Sequence, residues 1–115
     1  MCYINRMVVV VRPKPAFVEW ANALPDMGDM KFTEKELNED CSVFLIPDFP
    51  DAKKAMSYIK KMHDDIFSRE LESICTLEDW WPQKRNWKKF REWFEIEIHS
   101  SVLDMAESPI QKEEN

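Results

Sequence analysis

The chain has 115 residues, of which 44% are apolar and 33% charged, and this size and composition suit one globular domain with one modest core. Its net charge of −6 disfavours nucleic acid and anionic membrane surfaces as partners. The longest apolar run, Met7 to Val11, is far shorter than the roughly 18 residues needed to cross a bilayer, so we expect no membrane partner.

The first third of the chain predicts a strand followed by two helices. Met7 to Arg12 is a mostly β-branched run closed by a proline, which is typical of a strand that is buried on both faces at the centre of a sheet. Apolar residues at helical spacing then predict a helix from Pro15 to Leu24, which a second proline ends. Thr33 and Glu36 form a capping-box pattern, which predicts a short helix over Glu34–Asp40.

The middle of the chain predicts a second strand and the longest helix. Cys41 to Ile46 is another apolar run ended by a proline, and it is again typical of a strand buried on both faces. We expect it to lie beside the first strand inside the sheet. From Pro50-Asp51 to about Ile74, apolar residues recur with the period of a helix that buries one face.

The segment from Trp80 to Asp104 holds four of the five tryptophans and is the most distinctive part of the chain. Asn86 is placed to cap a helix from Trp87 to about Trp93. From Phe94 to His99, apolar residues alternate with polar ones, which favours a strand, although the spacing also allows the helix to continue. Residues 107–115 are polar and are predicted to form a disordered tail.

These elements together predict the α+β class. We expect a small mixed sheet of three or four strands in a single layer, packed against helices, in one domain over residues 1–106. The alternating third strand would have one face on the core and the other in water.

Four polar residues are candidates for binding a small ligand. Arg12 and Lys14 follow the first strand at the sheet edge that ligands favour in α/β proteins, and their charge suits an anion. Glu97 and His99 would share one face of the third strand, where carboxylate and imidazole suit a metal ion or an acid–base pair. Same-face neighbours on a strand lie about 6.5–7 Å apart, so we favour a solvent-facing polar row over a metal site. We expect no cofactor and assign no catalytic residue.

A second candidate is an interaction surface around the predicted helix at Trp87–Trp93. Its residues are Trp80, Trp81, Lys84, Arg85, Lys88, Lys89 and Arg91. Basic side chains with aromatic neighbours suit single-stranded nucleic acid. On a helix, however, Trp87 and Phe90 share one face, while the basic side chains project away from it. We therefore favour an amphipathic helix with buried aromatics, whose basic surface could receive either an acidic partner protein or the acidic middle of the chain itself, Asp26 to Asp79.

The three cysteines bear on the compartment of the protein. Cys2, Cys41 and Cys75 are odd in number and far apart, so they predict reduced thiols rather than a disulfide framework. The first residues lack the features of a secretion signal. We therefore expect a cytoplasmic protein.

Several short patterns follow one another in a fixed order. They are Arg12-Pro13-Lys14, Phe17, Trp20, Leu24-Pro25-Asp26, Phe44-Leu45-Ile46-Pro47, Trp81-Pro82 and the run from Trp93 to Ser100. In this order and spacing, the chain from about Arg12 to Asp104 resembles a group of small bacterial proteins of unknown function. The resemblance implies a free-standing bacterial cytoplasmic protein, and it implies no activity, cofactor or catalytic residue.

Our leading hypothesis is a small non-enzymatic protein-interaction or regulatory protein, which binds another protein or a second copy of itself as a homodimer. Tyr, Trp and Arg are the residues that most often anchor such interfaces. The alternative is a small enzyme, or an anion- or metal-binding protein, that uses Arg12, Lys14, Glu97 and His99. The third possibility, which the net charge disfavours, is nucleic-acid binding through the basic residues from Lys84 to Arg91.

Overall fold

The computed structural model describes residues 1–114, which contain four α-helices and five β-strands. In chain order these are β1 (Cys2–Tyr3), β2 (Arg6–Pro13), α1 (Pro15–Asn22), α2 (Glu34–Glu39), β3 (Ser42–Pro47), α3 (Ala52–Ile74), α4 (Trp87–Trp93), β4 (Phe94–His99) and β5 (Leu103–Asp104). Short 3₁₀ turns cover Pro25–Met27 and Glu78–Trp80. The α+β class is therefore confirmed, and each predicted helix and strand is present.

Three helices begin after a residue whose side chain accepts a hydrogen bond from a backbone N–H of the first turn. The Thr33 hydroxyl caps α2 and also hydrogen-bonds the Glu36 carboxylate at 2.9 Å, as the capping-box pattern predicts. Asp51 caps α3 and Asn86 caps α4, each accepting the N–H three residues further on at 2.8 Å. The strand prediction at Phe94 is also confirmed, because α4 ends at Trp93.

The main sheet has the strand order β3-β2-β4, with both neighbours antiparallel to β2. The predicted mixed sheet is therefore wrong. Ser42 pairs with Val11, so the chain re-enters the sheet near the end where β2 leaves it and must run back. The long α3 then returns the chain, and β4 starts with Phe94 opposite Pro13, at that same end. Both strand pairs of the main sheet are therefore antiparallel, and no parallel crossover connects them.

The hydrophobic core lies between one face of this sheet and the helices. From β2 it takes Met7, Val9 and Val11, each at most 4% exposed. Fully buried side chains from the helices, such as Phe67 of α3 and Phe90 of α4, complete it. Their rings lie 5.9 Å apart between centroids, within the range of favourable aromatic pairs.

The opposite face of the sheet is open to solvent. Val43 is 57% exposed and Leu45 is 50% exposed, while Val8 and Val10 of the central strand are only partly covered. The predictions that both apolar runs are buried on two faces, and that β3 lies inside the sheet, are therefore wrong, although β2 and β3 are neighbours as expected. The reason is that the core-forming helical residues cluster with Met7, Val9 and Val11 on one face only.

A two-stranded ribbon, which the sequence did not predict, extends from the main sheet. In this β-ribbon, β1 pairs antiparallel with β5, placing Tyr3 opposite Leu103, and the Ile4 N–H donates to the Val102 carbonyl at 3.0 Å. The β-ribbon continues the β2–β4 ladder with a change of register between them. Tyr3 is 75% exposed, so the β-ribbon leaves apolar surface in water.

The predicted tail, residues 107–115, has neither helix nor strand and is exposed as far as residue 114, while Asn115 lies outside the described residues. Within residues 1–114, no helix combines the length and the apolar character that crossing a membrane requires.

Candidate functional site

The open face of the sheet brings together side chains from three strands in aligned rows. The β3–β2 and β2–β4 registers give the rows Leu45–Val8–His99 and Val43–Val10–Glu97, with Pro47–Arg6 before them and Arg12–Glu95 after them. Since alternate residues of a strand share a face, these side chains project from the side opposite the core. In the two middle rows the face is apolar on β3 and β2 and polar on β4, and the flanking rows add Arg6 and Arg12 on β2.

The apolar side consists of Val8, Val10, Val43 and Leu45, which we call the apolar strip. Val10 lies directly opposite Val43, and Val8 directly opposite Leu45, so the four form one contiguous block. Directly opposed residues in an antiparallel pair have Cβ atoms about 4.5–5.5 Å apart, which leaves no room for polar groups between them. A contiguous exposed block of this kind marks interaction sites more often than scattered apolar residues do.

The polar side is organised by Glu97. Its Oε2 lies 2.9 Å from His99 Nε2 and 3.5 Å from Arg12 Nη2. The hydrogen bond from His99, and then the positive charge of Arg12, lower the pKa of Glu97 below its ordinary value. We call these three residues the polar network. Arg12 also approaches Cys41, at 3.8 Å between Nη1 and Sγ.

Lys14 does not join the other predicted ligand-binding residues. Its ammonium group donates to the Arg91 carbonyl at 3.1 Å, at the end of α4. The structure thus brings together Arg12, Glu97 and His99, and places the fourth candidate elsewhere. Only the pairing of β2 with β4 puts Arg12 beside Glu97, and no local sequence pattern predicts that pairing.

The polar network has the geometry of a surface feature. The side chains of Arg12, Glu97 and His99 are 39%, 47% and 56% exposed, so water screens their charges. Glu97 neutralises Arg12, which removes the positive charge that an anion would need. Within residues 1–114, no three His, Cys, Asp or Glu side chains are grouped so that they would hold a metal ion. The network can orient a polar partner group but does not enclose a reacting one.

Of the basic residues around α4, the two arginines are held by the fold and the three lysines are not. Arg85 pairs with Asp64 at 3.1 Å, donates to the Pro82 carbonyl at 3.0 Å, and lies 5.8 Å from the ring of Trp81. Arg91 stacks over Trp87 at 5.4 Å. Cation–π contacts of this length hold a guanidinium against its own chain. Of the predicted basic surface, Lys84 and Lys88 project freely into solvent, and Lys89 is partly covered.

The tryptophans of the predicted interaction surface are placed differently from one another. Trp81 is buried, at 7% exposed, and its indole N–H donates to the Cys75 carbonyl at 2.7 Å. Trp80 is 50% exposed, and its carbonyl accepts the indole N–H of Trp20 at 2.9 Å. The bases of a single strand would therefore find no row of exposed rings on which to stack.

Trp80 borders a shallow apolar groove of about 320 Å³. The groove is lined by Leu24, Met27, Ile74, Cys75, Leu77 and Trp80 among others. Its polar side chains are few, with Thr76 and Cys75 beside apolar and aromatic groups, so it offers little to orient a small ligand as a specific pocket does. The groove is a second place where apolar surface remains in water.

The residues that sequence reasoning missed are those of the apolar strip. The sequence pattern predicts them as core, because a valine looks the same in sequence on either face of a sheet. One signal in the sequence could have found them, namely the amount of apolar surface on the helices. A strand is buried on both faces only if the helices carry enough apolar surface to cover both faces of the sheet. Comparison of the chain with protein-family models, with curated proteins and with solved structures found no match.

Proposed function

We propose that this protein works by binding another protein through the open face of its sheet. The observation that carries the proposal is the apolar strip, where Val43 and Leu45 are at least half exposed although they stand in a regular edge strand that pairs along its length with β2. Exposed apolar side chains on a rigid element can be buried by a partner at little cost in conformational entropy. The polar network beside the strip would supply the rim that orients the partner.

Binding is favoured over catalysis because of where the titratable groups lie. Glu97 and His99 form a close pair, but both are about half exposed on a flat surface. General acid–base catalysis depends on groups whose pKa is matched to the reaction and on a site from which water is excluded. The lowered pKa of Glu97 makes it a weaker base, which is opposite to the shift that a general base requires.

The proposal includes a cytoplasmic location. All three cysteines, Cys2, Cys41 and Cys75, are free thiols, and a reducing compartment keeps exposed thiols in that state. Cys2 is exposed and would be the first to oxidise outside the cell. The resemblance to small bacterial proteins stays a prediction and agrees with this location.

Position-specific photo-crosslinking tests the proposed surface. A photo-reactive residue replaces Val43 on the open face in one variant, and Lys53 on the exposed side of α3 in the other. We expect a covalent adduct with a protein at Val43 and none at Lys53, and we expect Val10→Glu to abolish the adduct because it puts a charge inside the apolar strip. Equal adducts at both positions, or no adduct at Val43, would contradict the proposal.

A further inference from the structure

We infer that the partner on the open face is a second copy of this chain, packed face to face about a two-fold axis at right angles to the strands. This inference rests on the proposed function, since it names the occupant of the same surface. It is argued from the order of side chains along the three strands.

The apolar strip is complementary to itself under this two-fold axis. The two-fold axis lies in the plane between the two sheets and runs across the strands at right angles. It leaves each strand over its own counterpart and reverses the order of the rows. Placed between the two apolar rows, it sets Val10 over the partner's Val8, and Val43 over the partner's Leu45. Stacked sheets lie about 10 Å apart, so the eight aliphatic side chains interdigitate as they do in the core of a β-sandwich.

The same axis gives a favourable pairing at Glu97 and His99, and it also sets Arg12 over the partner's Arg6, where the Glu95 and Glu97 carboxylates beside Arg12 offset the like charges. Glu97 and His99 are consecutive same-face residues of β4, in the same two rows as the apolar strip. Reversing the rows sets each Glu97 opposite the partner's His99, so two symmetric carboxylate–imidazole contacts replace the repulsion of acidic side chains. A two-fold axis parallel to the strands and centred on β2 would instead put the apolar β3 over the polar β4, which leaves polar groups without partners.

The size of the face sets the expected strength of the dimer. Three strands about 4.8 Å apart and six residues long cover a face of roughly 14 by 20 Å. This footprint of about 280 Å² is about a third of the roughly 800 Å² per partner of a standard stable interface. We therefore expect a weak homodimer, with a dissociation constant of about 1–100 µM, that exchanges with the monomer.

Sedimentation velocity on the purified full chain tests this inference. We expect the mass to rise from 13.8 kDa towards twice that value as the concentration increases from about 1 to 500 µM. Val43→Glu should hold the protein at the monomer mass, because it would bury an unpaired carboxylate in the interface. Lys53→Glu, the matched control on α3, should dimerise as the wild type does. Because Val43 is exposed in the monomer, Val43→Glu should keep the wild-type circular dichroism spectrum.

An exchange of charges tests the symmetry itself. Glu97→His alone would set imidazole opposite imidazole, and His99→Glu alone would set carboxylate opposite carboxylate, so each should weaken dimerisation about tenfold. The double variant Glu97→His/His99→Glu restores unlike partners and should recover most of the loss. A double variant as weak as the singles would overturn this two-fold arrangement.

The two proposals fail in different ways. If the wild type stays at 13.8 kDa up to about 500 µM while the Val43 crosslinker captures a different protein, the dimer is wrong and the proposed function stands. If the protein dimerises but Val43→Glu leaves the dimer intact, the open face is not its interface. If neither a dimer nor a crosslink forms, both proposals are wrong.

Discussion

Glu70 of α3 is a carboxylic acid inside the core, with 6% of its surface exposed. Its Oε1 has no hydrogen-bond partner among the described residues. Burial raises the pKa of Glu70 above its ordinary value of 4.5, and a hydrogen bond from Ser42 and the charge of Arg69 oppose this rise only in part. Between the unfolded and folded pKa values, the folded protein keeps a proton that the unfolded chain has released. The free energy of unfolding therefore falls as pH rises through that window.

Replacing this carboxyl group should stabilise the protein at neutral pH. Glu70→Gln removes the ionisable group and keeps its shape, so we expect the free energy of unfolding to increase by about 1 kcal/mol at pH 7–8, with a smaller change near pH 4. Urea titrations at both pH values measure it. Glu72→Gln, on the exposed side of the same helix, is the control and should change little at either pH. A difference between Glu70→Gln and wild type that does not depend on pH would contradict this account.

At the scale of the element, α4 is held by one deeply buried side chain. Phe90 is fully buried, and its ring lies 5.3 Å from that of Phe94 and 5.7 Å from that of Trp87. Phe90→Ala should lower the free energy of unfolding by about 3–5 kcal/mol, because it removes these contacts and leaves a cavity. Lys88→Ala, on the exposed face of α4, should change it by less than about 0.5 kcal/mol. A loss below 1 kcal/mol for Phe90→Ala in urea titrations would show that α4 does not close the core.

Element boundaries followed from the sequence because local chemistry sets them. Thr33 and Asn86 cap helices through contacts within one turn, and the polar alternation after Phe94 is typical of a strand with one face in water. The direction of strands and the covering of faces depend on distant parts of the chain. No local pattern near Ser42 indicates that β3 runs antiparallel to β2. The prediction of a mixed sheet was therefore wrong.

The residues of the candidate site likewise fall into those that local spacing predicts and those that depend on distant parts of the chain. Glu97 and His99 were predicted to share a face because they are two residues apart on one strand, and that spacing is local. Arg12 lies beside them because of the register of β2 with β4. Lys14 lies apart from them, because its ammonium group donates to the Arg91 carbonyl. The exposure of Val43 could not be predicted from its neighbours, since a valine on an open face and a valine in the core have identical local patterns.

On the scale of the whole molecule, the net charge is −6, but the region around α4 is locally basic. Two of its five cations are held by the fold, because Arg85 pairs with Asp64 and Arg91 lies over Trp87, which leaves Lys84, Lys88 and Lys89. Binding to a nucleic acid gains free energy from each phosphate that a free lysine or arginine neutralises. With three lysines left and a net charge that repels phosphates, we expect too few phosphate contacts for stable binding.

We therefore expect no appreciable binding of single-stranded DNA or RNA at physiological salt, with a dissociation constant above about 100 µM. Fluorescence anisotropy with labelled oligonucleotides at 50 and 150 mM salt measures it, since any electrostatic binding weakens steeply over that range. The test variant is Lys88→Glu/Lys89→Glu on α4, and the control is Lys60→Glu/Lys61→Glu on α3, which changes the net charge by the same amount. Equal, negligible binding by all three proteins is the expected result. Micromolar, salt-sensitive binding that only the α4 variant loses would make the basic region a nucleic-acid site, because the matched control excludes an effect of net charge alone.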